Sequence, residues 1–251
     1  TILPLKASGH TFADEIDKQP SNWQNVELRV DEVCYSRKDL MQLGMHVGDF
    51  VAIDPQPEVL ENGYIVSRHL DDKAGAAVLL GAVKAVVDSK VKLPVDCHPL
   101  FTISEEVGSG ASAVLHGDVS EMLTLDNGTT APGQNSSEFG VTICMADMSG
   151  PFDYHLTNYL IRLCQEFEIP YQRDIFRFYR SDSAAAVESG ADLRTALATF
   201  GVDGSHGWER IHWNALESLT KLVTVYMQSP PLFLRDQDDI GPRFGFPMQP
   251  A

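Results

Sequence analysis

Acidic residues recur in this sequence where apolar, β-branched runs end. Asp71-Asp72 follow Tyr64–Ser67, Glu105-Glu106 follow Pro99–Ser104, and Asp126 follows Met122–Leu125. Asp147 follows Phe139–Ala146, and Asp182 follows Tyr171–Phe178. In open α/β sheets, functional groups gather beyond the carboxyl ends of the strands. Carboxylates that converge there repel one another unless a cation lies between them. The pattern therefore points to a metal site. Adjacent acids such as Glu105-Glu106 suit a division of labour: one ligates a metal while its neighbour moves a proton. Each acid alone has a plainer explanation. Asp71-Asp72 could cap a helix, and Asp126 could cap the turn at Asn127-Gly128. The order D-D, E-E, D and then a late His is more specific than any one of them.

Eight histidines are available for that last place. His206 is favoured, because the loop Gly204-Ser205-His206-Gly207-Trp208-Glu209 leaves it free to reach a metal. His212, at the predicted start of the last helix, is the competitor.

The elements that must position these groups alternate in type. Val26–Val30 and Phe50–Ile53 are predicted strands, and Ser36-Arg37-Lys38-Asp39 resembles a capping box opening a short helix that Gly44 ends. Pro55–Asn62 is polar and Pro-containing, and marks a boundary between a β-rich segment 1–62 and the remainder, 63–251. Beyond it, the runs named above and Ala196–Phe200 are predicted strands. Lys73–Val87 is a predicted helix, as is the segment from Asp153 with Leu156, Leu160, Leu163 and Phe167 on one face. Leu216, Leu219, Val223 and Tyr226 mark a final helix, and the tail after Ser229 is expected to lie extended. Strands alternating with helices imply an α/β fold: a mixed, mainly parallel sheet covered on both faces.

Composition narrows the function classes. Among 251 residues, acids outnumber bases 35 to 19, for a formal charge of −16, and no stretch concentrates Lys and Arg. That argues against nucleic-acid phosphates and anionic membrane surfaces as partners. The longest apolar run, Ala74–Val87, is interrupted by Lys84 and is too short to span a bilayer. Cys34, Cys97, Cys144 and Cys164 lie far apart, which reads as buried free thiols in a reducing, cytoplasmic setting.

At these residues a family resemblance emerges. His69-Leu70-Asp71-Asp72-Lys73-Ala74-Gly75 resembles the D-D-[RK]-x-G motif of dinuclear-metal aminopeptidases of the glutamyl aminopeptidase, tetrahedral aminopeptidase and cellulase-M-like family. Ser104-Glu105-Glu106-Val107-Gly108 resembles its E-E-V-G motif, Leu125-Asp126 its next ligand Asp, and Ser181-Asp182-Ser183-Ala184 a later T-D-A segment. The His206 loop departs from the family's H-S-x-x-E by reading H-G-W-E. In detail the chain most resembles the branch associated with synthesis of a small peptide osmoprotectant.

The resemblance implies two divalent ions, zinc or cobalt. Asp71 would bridge them, Glu106 and His206 would complete one side, and Asp126 would hold the other. Glu105 would be the general base, and the Asp71–Asp72 peptide would be cis. It further implies release of N-terminal residues from short peptides. Segment 1–62 would match a small β domain that mediates homo-oligomerisation. The family carries another ligand His, in an H-x-D motif upstream of that domain. Here His10 is followed at the second position by Phe12, so the resemblance implies a chain that begins inside the β domain and lacks this ligand. Three other readings compete: an amidohydrolase or deacylase on the same scaffold, a scaffold inactive for want of that His, and a cation-binding domain without catalysis.

Overall fold

The computed structural model describes residues 1–233 of the chain. Two compact units are present, Thr1–Ile53 and the residues from Asp54 onward.

In the first unit, β1 (Ile2–Pro4) pairs antiparallel with β2 (Val26–Leu28). Between them lie two single-turn helices, α1 (Gly9–Phe12) and α2 (Glu15–Lys18). A third helix, α3 (Arg37–Gln42), starts where the sequence places it. The Asp39 amide donates to Ser36 Oγ, and Ser36 Oγ and the Tyr35 amide donate to the Asp39 carboxylate. The unit is not β-rich, because its other apolar run finds no ladder. Phe50–Ile53 is irregular, with Phe50 and Val51 exposed.

The second unit opens with β3 (Glu58–Val59), which pairs antiparallel with β4 (Tyr64–Ser67). That pairing ties part of Pro55–Asn62 to the second unit, so the sequence boundary at residue 62 falls beyond the junction. The long helix α4 (Leu70–Ser89) follows. Then come β5 (Glu121–Thr129), β6 (Val141–Asp147), β7 (Gly150–Pro151), α5 (Tyr154–Glu166) and β8 (Tyr171–Ile175). The remaining elements are α6 (Asp182–Glu188), β9 (Arg194–Val202), β10 (Glu209–His212) and α7 (Trp213–Gln228).

The main sheet is mixed. β5 runs parallel to β9, β9 antiparallel to β6, and β6 parallel to β8, while β7 pairs with the end of β6. β10 pairs antiparallel with β4 in a separate small sheet. Alternation along the strands sorts side chains to two faces. Ala196, Ala198, Phe200 and Val202 of β9 join Val141 and Ile143 of β6 in the large core, with Leu123 and Leu125 of β5 packed against it. Leu156, Leu160 and Leu163 of α5 and Leu219, Leu222 and Val223 of α7 complete that core, together with Val78, Ala82 and Val86 of α4. Each fully buried aliphatic side chain contributes about 1.5–3 kcal/mol. The opposite face carries α6 and a small cluster of Cys144, Phe152, Phe176 and Leu197.

One predicted strand is absent. Pro99–Ser104 forms no ladder among the described residues, and Ile103 is 99% exposed. β-branched composition alone does not make a strand where no neighbour offers hydrogen bonds. The predicted tail beyond Phe233 lies outside the described residues. Among those described, no helix is long and apolar enough to cross a membrane. All four cysteines are free; Cys144 and Cys164 are buried, whereas Cys34 and Cys97 are only partly so.

Candidate metal centre

Asp71 reaches its place through irregular backbone. His69 takes a left-handed conformation (φ 63°), Asp71 and Asp72 are non-helical, and the peptide between them is cis, as the resemblance implies. Regular helix follows. Gly75 is required there: a Cβ on it would lie 2.3 and 2.5 Å from the carboxylate oxygens of Asp72.

Asp126 lies within β5 and not at its end. The strand's alternation explains its direction. Leu123 and Leu125 face the large core, whereas Thr124 and Asp126 face the α6 side, where Thr124 Oγ1 lies 2.7 Å from Ser183 Oγ. Asp126 is 6% exposed and accepts from the Asn127 amide.

Glu105 and Glu106 sit in a single 3₁₀ turn, Glu105–Val107. Asp182 holds the segment around them. Its carboxylate accepts from Thr102 Oγ1 at 2.6 Å and from the Ala111 amide at 2.9 Å. Gly110 leaves room for it, since a Cβ there would lie 2.3 Å from Asp182 Oδ1.

His206 sits in the loop between β9 and β10. Paired backbone hydrogen bonds of 2.9 Å between Asp203 and Arg210 close that loop. Gly204 (φ 73°) and His206 (φ 62°) are both left-handed. His206 Nε2 lies 3.2 Å from Asp71 Oδ2. His212 is used differently. Its Nδ1 accepts from the Asn214 amide at 3.1 Å as the N-cap of α7, and its Nε2 lies 3.1 Å from the Asn62 carbonyl oxygen.

These residues form two clusters. Asp71, Glu106 and His206 bring ligand atoms within 4.8 Å of one another, and so do Asp71, Asp72 and Asp126. Asp71 belongs to both. Four of these five groups, Asp71, Glu106, Asp126 and His206, are the ligands expected from the sequence; Asp72 is a further donor that the spacing does not single out. Asp71, Glu106, Asp126 and His206 line a cleft of about 590 Å³ that also presents Glu105, Tyr179 and Asp182. Asp147, the other strand-end acid, is absent from that lining; its Oδ1 caps the turn at Ser149.

The electrostatics are those of crowded acids. Burial, and then the charge of Asp126, pushes Asp72 up to about 10. Burial raises Asp126 and Asp71 as well, with Asp71 adding to the first and Glu106 to the second. Glu105 is pushed up to about 7 by burial and then by Asp182 and Glu106. Among the described residues, Asp72 Oδ1 is buried without a hydrogen-bond partner. Such groups take up either protons or cations. Carboxylates with one imidazole fit divalent zinc or cobalt by donor type.

Comparison with known proteins agrees with this architecture. The family model described as M42 glutamyl aminopeptidase matches residues 1–222. The Bacillus subtilis (strain 168) protein named "Putative aminopeptidase YhfE" is 40% identical over 230 residues, covering 92% of this chain and 66% of that protein. The TET aminopeptidase of a marine sediment Thaumarchaeota archaeon superposes with a TM-score of 0.77 at 20% identity, over 94% of this chain and 67% of that one. The TET1 peptidase of Pyrococcus horikoshii gives 0.71 at 24% identity, over 89% and 67%. The two structural likenesses show the fold. The chain thus spans about two thirds of the length of these relatives. On its sequence match and its fold, it belongs to the M42 glutamyl aminopeptidase family.

Proposed function

We propose that this chain carries the catalytic carboxylates of a metal-dependent aminopeptidase that removes N-terminal residues from short peptides. The observation that carries the reading is the sharing of Asp71 between two ligand clusters in one cleft. Asp71, Glu106 and His206 would hold one divalent ion, and Asp71, Asp126 and Asp72 the other. When bound, two such ions polarise the scissile carbonyl and lower the pKa of the attacking water.

Glu105 stands beside the ligand Glu106 and lines the same cleft. It accepts the proton of the attacking water and delivers it to the departing amine nitrogen. A half-buried carboxyl whose proton affinity is matched to neutral pH suits both transfers. The acidic cleft also favours a substrate that presents a free, protonated amine.

Segment 1–62 serves oligomerisation in this reading. The Pyrococcus horikoshii TET1 peptidase is described as assembling into a tetrahedron or a large octahedral shell, and a homo-oligomer is proposed here by likeness. Four free thiols suit a reducing, cytoplasmic setting.

The test is a panel of short peptides, free or N-acetylated, offered to the zinc- or cobalt-loaded protein. Cleavage of the free peptides alone is expected. Cleavage of both forms, or of the acetylated form alone, would move the reading to an amidohydrolase. Cleavage of neither would leave a scaffold.

A further inference from the structure

Glu209 belongs to neither ligand cluster, yet it touches the backbone of two of the four chain segments that carry ligands. It is 1% exposed and sits in β10, opposite Ser67 of β4 in the antiparallel register. Its inward direction follows from strand alternation: Glu209 and Ile211 point inward, while Arg210 between them is exposed. A carboxylate at an interior-facing strand position needs partners to offset its burial. It has two. The amide of Asp71 donates to Oε2 at 3.0 Å, and the amide of His206 donates to Oε1 at 3.0 Å. The first of these bonds joins residues 138 apart in the chain.

Both gripped segments take backbone conformations that residues with a Cβ disfavour. His206 itself is left-handed, and so is His69, two residues before Asp71. Neither segment would keep its place through local preference. The bidentate contact fixes the separation of the two amides, and hence of the Asp71 and His206 side chains, which meet at 3.2 Å.

We propose that Glu209 is the positioning residue of the centre: a carboxylate clamp that sets the spacing of Asp71 and His206 through their main-chain amides, so that the two ligands stand ready before a cation arrives. The inference rests on the reading of Asp71 and His206 as ligands. Outer contacts of this kind govern ligand orientation, and their loss typically weakens metal affinity by about 10–100-fold. Reach, not charge, is the property at stake.

Two variants separate reach from charge. Glu209→Gln keeps the length but sets an amide NH₂ against one of the two donors. Glu209→Asp keeps the charge but is one methylene too short to span both. Zinc affinity would be measured by competition with a chromophoric chelator. The visible spectrum of the cobalt-loaded protein and the melting temperature of the chelator-treated protein would be recorded alongside. Both variants are expected to bind zinc about 10–100-fold more weakly and to show an altered cobalt spectrum. Lowered melting temperatures with unchanged affinity and spectrum would show a purely structural residue and overturn the proposal. Full affinity in Glu209→Asp with loss in Glu209→Gln would make the effect one of charge, and would also overturn it. If the unaltered protein binds no zinc, the ligand reading fails and the clamp with it. Unaltered protein that binds zinc beside variants that bind it equally well leaves the ligand reading standing and removes only Glu209.

Discussion

The carboxylate of Asp72 occupies the space that a side chain at Gly75 would need. A Cβ there would lie 2.3 Å from Oδ1 and 2.5 Å from Oδ2. In an ordinary helix interior, Gly→Ala stabilises by about 1 kcal/mol. Here Gly75→Ala must push the Asp72 carboxylate away from Asp71 and Asp126. The variant is therefore expected to bind zinc about 10-fold or more weakly, while the chelator-treated form melts no lower than the unaltered protein. Chelator competition and thermal melts would check both halves; unchanged zinc affinity would remove Asp72 from the centre.

Removal of the proposed base should leave ligation intact. Glu105→Gln is expected to lower the rate of peptide cleavage by about 10²–10⁴-fold with zinc content unchanged. Unchanged turnover would take Glu105 out of the mechanism. Loss of zinc instead would make it a ligand.

Crowded acids give the cation-free protein a particular response to pH. Glu105 is raised from 4.5 to about 7, and Asp72 from 3.8 to about 10. Between the ordinary and the raised values, the folded chain holds more protons than the unfolded chain. Stability from these groups is therefore present at low pH and falls as pH rises through that window. The melting temperature of chelator-treated protein is expected to fall between about pH 5 and pH 8. Added zinc should flatten that fall, because cations replace the protons. A flat or rising profile without zinc would contradict the shifts.

His206 and His212 should separate cleanly. His206→Ala is expected to weaken zinc binding, with little change in the melting temperature of the cation-free form, since the side chain is largely exposed. His212→Ala removes an N-cap contact and is expected to cost about 1 kcal/mol of stability with zinc affinity unchanged. Denaturant melts and zinc competition on the two variants would show any exchange of roles.

Much of this was legible in the sequence because local pattern and tertiary role coincide. β4, β6, β9 and α7 follow the apolar periodicity, and Asp153 caps α5 by accepting from the Leu156 amide. Failures came where a partner from elsewhere decides. Phe50–Ile53 and Pro99–Ser104 have strand composition but no neighbour to pair with among the described residues. Asp182 looked like a strand-end acid, yet it acts by gripping Thr102 and Ala111. Glu209 is in phase with Ile211 on the inward face of a strand, and that phase is a readable sign of a buried charge with a task. In sequence Asp72 is only the neighbour of Asp71, because the fold of its carboxylate against Gly75 is a backbone effect that no spacing reveals.

The central claim is that one carboxylate, Asp71, serves two cation positions. Zinc stoichiometry tests it most directly, measured by elemental analysis after equilibration with zinc and removal of the excess, for the unaltered chain and for Asp71→Asn. The account expects two ions per chain in the first and loss of both in the second. Fewer than two in the unaltered chain, or one ion retained in Asp71→Asn at undiminished affinity, would contradict it.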